Sequence, residues 1–256
     1  MSEKKRFFVK EITDNEVTLT GEEFAHARTV LRLNVGSEIV LLDNSGREYD
    51  GVVSSVEKRQ MTVHIIGSYL GEREPSTEVR LLFGYVKNAD KNEFVVQKAT
   101  ELGVKEIALF CSEYSSAYVN ENKLERLKKI AQESAKQCLR SCAPEITYYP
   151  TLQSALESAK DCQNKLFACE FFRSDSPDGN ALKDLHGSCA LVVGSEGGFS
   201  HAEFELAKSL GYQGVSLGKR ILRAETAAVA LASVVMYQLG NFNNVQSSGF
   251  HPRLQG

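Results

Sequence analysis

The chain has 256 residues, 42% of them hydrophobic and 25% charged, a composition that excludes an intrinsically disordered protein and a coiled-coil rod. Its formal net charge is -3 at pH 7, which excludes a protein coated throughout with basic residues, so any contact with nucleic acid must be local. No segment resembles a signal peptide or a membrane span, and the six cysteines form no Cys-x-x-Cys pair, so we expect a cytoplasmic protein without a metal site.

The first part of the chain alternates apolar and polar residues with a period of two, which is typical of β-strands. Four strands are predicted, over Glu16–Thr20, Glu38–Leu42, Tyr49–Val56 and Met61–Ile66. One short helix, Glu22–Leu31, interrupts them. Because these strands leave little room for crossover helices, they predict a small β-barrel.

A polar segment with Gly and Pro, Gly71–Thr77, separates this pattern from an alternation of strands and helices. The predicted strands there are 79–85, 104–110, 146–149, 165–170, 189–193 and 214–217. The predicted helices are 91–102, 123–139, 152–160, 202–210 and 225–239. This alternation predicts a parallel sheet flanked by helices, with one domain over residues 1–71 and a second over 78–245.

A glycine-rich turn, Gly194–Phe199, follows the apolar run Leu191–Val193 and precedes a capping box formed by Ser200 and Glu203. Strand, glycine turn and capped helix form a ligand-binding geometry at the carboxyl edge of a parallel sheet. The turn is neither a dinucleotide fingerprint nor a P-loop. A plain tight turn between a strand and a helix explains these residues equally well.

A second unusual segment, Leu217–Thr226, carries three cations, Lys219, Arg220 and Arg223, just before an almost wholly apolar helix. A solvated loop would explain Glu225 in the first turn of the helix, but not all three cations. The helix itself has almost no polar face, so we expect it to be buried all round, by the sheet or by a partner subunit.

The chain resembles the RsmE-type 16S ribosomal RNA uridine-N3 methyltransferases. Four blocks carry the resemblance: Gly194–Ser200 with Leu217–Ala227, Lys91–Val104, Lys136–Ile146, and His26–Gly36. The resemblance implies a SPOUT-type α/β sheet with a C-terminal trefoil knot and an N-terminal PUA-like RNA-binding barrel. It further implies that the SPOUT domains form a homodimer and that the protein uses S-adenosyl-L-methionine to methylate 16S rRNA or the small ribosomal subunit.

Carried over by position, the resemblance assigns three loops to the cofactor. The implied cofactor-binding residues are Glu170, Gly194, Ser195, Glu196, Gly197, Gly198, Leu217, Gly218, Ile221 and Leu222. Two positions depart from the family, which commonly carries Pro where Ser195 stands and Met where Asn92 stands.

Uridine N3 holds its proton at neutral pH, so an enzyme must remove that proton or stabilise the anion. We predict that Arg140 and Arg223 stabilise negative charge on the uracil, with Glu225 or Glu196 as the base. The predicted RNA contacts are Arg6, Arg28, Arg32, Arg47, Lys91 and Arg220. Two alternatives are a SPOUT enzyme with a different RNA target, such as a ribose 2′-OH, and a non-catalytic RNA-binding or assembly factor.

Overall fold

The computed structural model describes residues 4–10, 12, 15–115, 117–169 and 181–242. The chain divides into two compact units, residues 1–74 with 128–144, and residues 75–127 with 145–256. Among the described residues, no helix is long and apolar enough to cross a membrane.

The first unit is built on a five-stranded sheet, so the predicted β-rich N-terminal region is confirmed. Its strands are β1 (Lys5–Phe8), β2 (Glu16–Thr20), β3 (Glu38–Leu42), β4 (Arg47–Val56) and β5 (Gln60–Leu70), in the order β1-β3-β4-β5-β2. The pair β1 and β3 is parallel, and the other pairs are antiparallel.

The predicted helix over Glu22–Leu31 is divided in the structure. An α-helix, α1 (Gly21–Ala25), continues into a π-helical turn, His26–Val30. The next residue but one, Arg32, has a φ of 55° and lies in the left-handed region, where a helix cannot continue.

The part of the first sheet formed by β1 and β3 is buried on both faces. Phe7 in β1 packs with Ile39 and Leu41 of β3 in one core, whereas the alternate residues Phe8, Val40 and Leu42 pack with Ala135 in another. Successive side chains of a strand point to opposite faces, so a strand with no polar face needs cover on both sides. This explains why residues 128–144, predicted to belong to the second domain, group with the first unit instead.

The second unit contains a six-stranded sheet in which every adjacent pair is parallel, in the order β11-β9-β10-β6-β7-β8. The strands are β6 (Val79–Gly84), β7 (Glu106–Phe110), β8 (Glu145–Tyr149), β9 (Asn164–Ala168), β10 (Cys189–Val193) and β11 (Gln213–Val215). All five residues of β10 are buried, as a central strand covered on both faces requires. The predicted parallel α/β sheet is confirmed.

Helices of the second unit connect these strands or follow the last of them. They are α2 (Ala89–Glu101), α4 (Leu152–Ser158), α5 (His201–Ser209) and α6 (Ala224–Gln238), while α3 (Glu121–Gln137) passes from the second unit into the first. Helix α6 packs against α2, β6 and β10. The trefoil knot stays a prediction of the resemblance.

Candidate functional site

The glycine-rich turn follows the carboxyl end of β10, as predicted. The Gly198 amide donates to the Ser195 carbonyl oxygen at 3.0 Å, and Gly198 has a φ of 67°. A residue with a side chain would be strained in this left-handed conformation. The turn therefore needs glycine at position 198 for its own backbone shape.

Neighbouring segments approach this turn so closely that further side chains are excluded. A Cβ atom on Gly84, at the end of β6, would collide with the backbone nitrogen of Ser195. On Gly197 it would lie 2.7 Å from Cβ of Tyr114. These glycines let three strand ends meet at one edge of the sheet.

The predicted capping box is confirmed at the start of α5. The Ser200 hydroxyl accepts from the Glu203 amide at 3.2 Å, and the Glu203 carboxylate accepts from the Ser200 amide at 2.9 Å. The same carboxylate also accepts from the Glu113 amide at 2.8 Å. Glu203 thus joins the loop after β7 to the helix that follows the glycine turn.

Ser195, where the family commonly has Pro, is 7% exposed, and its hydroxyl lies 3.4 Å from the Ser112 hydroxyl. Two hydroxyl groups can exchange a hydrogen bond at that distance, which gives this buried polar group a partner. The serine therefore links the glycine turn to the loop after β7.

Asn92, where the family usually has Met, is also satisfied. It is 1% exposed; its Oδ1 accepts from the Val86 amide at 3.1 Å, and its Nδ2 donates to the carbonyl oxygens of Val86 at 2.8 Å and Asn88 at 3.0 Å. The amide therefore fastens the loop after β6 to the first turns of α2, and the substitution has a structural explanation.

The second predicted loop, between β11 and α6, leaves its backbone open. Gly218 has a φ of 101°, and a Cβ atom there would meet nothing within 4 Å. Ile221 is 87% exposed. Its apolar side chain is therefore accessible to a ligand that binds at this loop. Arg223 occupies the N-cap position of α6.

These loops enclose a cavity of about 800 Å³ at the carboxyl edge of the sheet. Its lining includes nine of the ten predicted cofactor-binding residues: Gly194, Ser195, Glu196, Gly197, Gly198, Leu217, Gly218, Ile221 and Leu222. Glu170, the tenth, lies outside the described residues. Such a volume is typical of a site for a small organic molecule.

Charged residues surround one part of this cavity. Lys91, Lys219, Arg220 and Arg223 belong to its lining. Lys91, predicted to contact RNA, lies with its Nζ 3.4 Å from Oε1 of Glu225, and Oε2 of Glu225 is buried without a hydrogen-bond partner among the described residues. Within the described residues, no group of three or more His, Cys, Asp and Glu side chains is placed to hold a metal ion.

Arg140, the other predicted catalytic arginine, belongs to the first unit and is committed to an ion pair. Its Nη2 donates to Oε2 of Glu74 at 2.8 Å, its Nε donates to the same oxygen at 3.1 Å, and its side chain is 5% exposed. Stabilising a uracil anion would require this buried pair to open. The catalytic role of Arg140 stays a prediction, and in this structure its guanidinium is paired with Glu74.

Arg6, predicted to contact RNA, is paired in a similar way. Its guanidinium is 2.7 Å from the Glu48 carboxylate, and the two side chains are 8% and 2% exposed. Ser141 donates to the same carboxylate at 2.7 Å. The Arg6 guanidinium is therefore largely buried beside its partner, and its role in RNA binding stays a prediction.

The other predicted RNA contacts of the first unit, Arg28, Arg32 and Arg47, are exposed. Arg28 donates to the Asn34 side chain at 2.6 Å, and Arg47 donates to Ser68 at 3.0 Å. Their role in RNA binding stays a prediction.

Three contributors to the site were not predicted from sequence. Gly84, Ser112 and Glu113 belong to the strand ends beside the glycine turn. Only Gly84 left a signal, because a glycine at the end of a buried strand marks a close backbone approach. The other two act through contacts that depend on strand order.

Comparisons with known proteins agree with this geometry. Residues 72–236 match the family model of the RNA methyltransferase domain, and residues 19–66 match that of the RNA methyltransferase PUA domain. The chain is 33% identical over 229 residues to ribosomal RNA small subunit methyltransferase E of Mesomycoplasma hyopneumoniae, covering 88% of this chain and 96% of the relative. It is 30% identical to the protein of that name from Bacillus subtilis, covering 91% and 96%.

A solved structure gives the same result. The putative methyltransferase from Legionella pneumophila, in complex with the bound cofactor SAM, has a TM-score of 0.80 and is 27% identical, with 92% of this chain and 98% of that chain covered. The family match covers more than half of the chain and agrees with the SPOUT and PUA-like architecture expected from the sequence. The chain therefore belongs to the RsmE-type family of RNA methyltransferases.

Proposed function

We propose that the chain transfers a methyl group from S-adenosylmethionine to N3 of a uridine in 16S rRNA of the small ribosomal subunit, in the cytoplasm. The main support is the cavity, because nine residues assigned to the cofactor from sequence alone line one volume. The name shared by the relatives in M. hyopneumoniae and B. subtilis supports the small-subunit RNA as substrate.

The cavity suits this cofactor in size and in chemistry. Its volume of about 800 Å³ accommodates a molecule with an adenosine and an amino-acid part. The open backbone at Gly218 gives polar groups of the ligand access to the main chain. Leu217, Ile221 and Leu222 offer apolar surface for the adenine ring.

The residues beside the cavity suit a reaction in which negative charge develops on uracil. When bound, S-adenosylmethionine supplies an electrophilic methyl group. Arg223 stands at the N-cap of the 15-residue helix α6, so the positive end of the helix dipole adds to its charge. Donors aimed at a developing anion lower the barrier to proton removal from N3.

Glu225 is our proposed proton acceptor. One carboxylate oxygen is near Lys91, and the other has no hydrogen-bond partner among the described residues. Because the unpartnered oxygen is buried, we expect the carboxylate to turn toward the cavity when the uracil binds and to accept the N3 proton there. Lys91 positions this carboxylate, and we move it from the RNA-contact group to this role.

The substrate uridine must be unpaired or extruded, because N3 lies on the Watson–Crick edge. Arg28, Arg32, Arg47 and Arg220 are exposed and are proposed to contact RNA phosphates. We expect these contacts to contribute affinity and salt dependence without reading the sequence.

We further propose a homodimer formed through α6 and α2. The sequence predicted that α6 is covered on all sides, but in this chain Val234 and Tyr237 of α6 are 37% and 58% exposed, and Phe94 of α2 is 42% exposed. Adjacent helices that present apolar side chains are typical of a subunit interface. Light scattering after size exclusion tests this, with Val234→Glu expected to give a monomer.

The test of function combines binding and product analysis. Calorimetry with S-adenosylmethionine is expected to give saturable binding, and mass spectrometry of 16S rRNA from a strain lacking the enzyme is expected to detect N3-methyluridine after incubation. Alkali-resistant ribose methylation would instead indicate another RNA target. Absence of cofactor binding would indicate a non-catalytic RNA-binding factor.

Replacing Arg223 tests the catalytic assignment. We expect Arg223→Ala to lower kcat about 100-fold, the effect of one lost charge-stabilising donor, while cofactor affinity stays near that of the wild type. Lys160→Ala is the matched control, because this exposed lysine follows α4 and precedes β9, at the opposite edge of the sheet. An Arg223→Ala protein with the wild-type rate would contradict the assignment.

A further inference from the structure

Two tyrosines in the loop after β7 are more than half exposed, and one of them lies against a residue of the cavity wall. Tyr114 is 53% exposed, and Tyr118 is 70% exposed. Because β7 runs parallel to β6 and β10, the loop leaves the sheet at the same edge as the glycine turn. Large exposed aromatic side chains at a ligand-binding edge call for an explanation.

Tyr114 lies directly against the cavity wall. Gly197, which lines the cavity, is so close that an added Cβ atom would be 2.7 Å from Cβ of Tyr114 and 3.0 Å from its carbonyl oxygen. Tyr114 is therefore the immediate neighbour of a residue in the wall of the proposed cofactor site. A substrate entering the cavity from this side would meet the tyrosine first.

Hydrogen bonds hold the backbone around Tyr114 in place. The Ser112 amide donates to the Ser115 hydroxyl at 2.9 Å, and the Ser115 amide donates to the Ser112 carbonyl oxygen at 2.9 Å. The Glu113 amide is bound by Glu203. A rigid support of this kind lowers the entropy lost when a ligand binds to the rings.

A lysine adds positive charge to the same surface. The Nζ of Lys123 is 5.4 Å from the centre of the Tyr118 ring and 5.5 Å from that of the buried Tyr85, and it donates to the Tyr118 carbonyl oxygen at 3.0 Å. The exposed Glu113 carboxylate partly offsets this charge. The lysine and the carboxylate offset each other, so we expect this surface to bind a ligand mainly through the exposed tyrosine rings.

We propose that Tyr114 and Tyr118 form a stacking surface for an unpaired RNA base that neighbours the modified uridine, with Lys123 contacting the adjoining phosphate. Bases splayed out of single-stranded RNA stack on aromatic side chains, and a nearby cation neutralises the backbone. The inference rests on the proposed function, since it assumes that the cavity receives a nucleotide of the same RNA.

RNA affinity of the full-length protein tests the proposal. Tyr114→Ala and Tyr118→Ala are each expected to raise the Kd for unmodified 16S transcript about 10-fold, the effect of one lost base stack. Tyr114→Phe and Tyr118→Phe keep the ring and are expected to bind within about twofold of the wild type, because stacking does not need the hydroxyl. Lys123→Ala is expected to lower the salt dependence of log Kd by about one phosphate contact.

Cofactor calorimetry and size exclusion on the same variants separate the outcomes. Unchanged cofactor affinity and unchanged oligomeric state, together with the loss of RNA affinity, support the proposal. It is overturned if the Ala variants bind RNA like the wild type, if cofactor affinity falls in parallel, or if the assembly dissociates, which would make this surface a contact between copies. A wild-type protein that binds RNA but no cofactor would refute the proposed function alone, because the RNA comparison is still measurable.

Discussion

Arg6 of the first unit and the two cavity arginines of the second unit lie in opposite environments. Arg6 in the first unit is buried with Glu48, whereas Arg220 and Arg223 in the second are exposed on the cavity wall. A buried charge must be paired to be tolerated, and an exposed charge can serve a ligand. Pairing and exposure therefore separate arginines that hold the fold from arginines that are available to a substrate, although all three are basic residues in the same chain.

Replacing Arg6 should have the largest effect. We expect Arg6→Met to lower the free energy of unfolding by about 4 kcal/mol, because it leaves the buried Glu48 carboxylate without its cation. Chemical denaturation measures this change. Lys4→Met is the matched control, since Lys4 pairs with Glu38 and Asp50 at the surface and should contribute less than about 1 kcal/mol. Equal losses in the two variants would contradict the comparison.

Acid should break the same pair without a substitution. Burial raises the pKa of Glu48, but hydrogen bonds from Arg6 and Ser141 outweigh it, and the net pKa lies below the ordinary value of 4.5. The stability that Glu48 contributes is therefore complete above pH 4.5 and is lost as the pH falls through the lower pKa of the folded state. Denaturation curves between neutral and acidic pH should show this fall in the free energy of unfolding. The fall should be smaller in Arg6→Met.

The close approach at the cofactor edge should be nearly as sensitive. We expect Gly84→Ala to lower the free energy of unfolding by about 3 kcal/mol and to weaken cofactor binding, because the added methyl group meets backbone that cannot rotate away. Gly67→Ala in β5 is the control, since a Cβ atom there meets nothing within 4 Å. Calorimetry and urea denaturation measure both effects, and a fully stable Gly84→Ala protein would refute the close contact.

The smallest effect is expected at the helix cap. Ser200→Ala should lower the free energy of unfolding by about 1 kcal/mol, because the amide of Glu203 loses its acceptor. Ser209→Ala, at the other end of α5, removes only an exposed hydroxyl that donates to the Leu206 carbonyl oxygen, and should change stability by less than about 0.5 kcal/mol. A thermal denaturation series distinguishes the two.

Most of the second unit could be predicted from sequence, and the first unit less so. The apolar run of β10 and the glycine turn after it are local signals, so period and turn chemistry were sufficient. The partners of Arg6 and Arg140 were not predictable, because Glu48 and Glu74 are distant in sequence and only the fold brings each pair together. The resemblance supplied the cofactor loops, whereas the charge-stabilising role of Arg140 was predicted from the chemistry of uridine N3, which gives no sign of its buried pairing with Glu74.

The second apolar face of β1 and β3 limits how the first unit can be moved into another protein. Ala135, which covers part of this face, comes after β6 and β7 of the second unit in the sequence. A fragment that stops at residue 74 would expose Phe8, Val40 and Leu42 to water, and we expect it to aggregate. A gene fusion could therefore not carry the first unit as one continuous segment, because residues 128–144 would have to accompany residues 1–74.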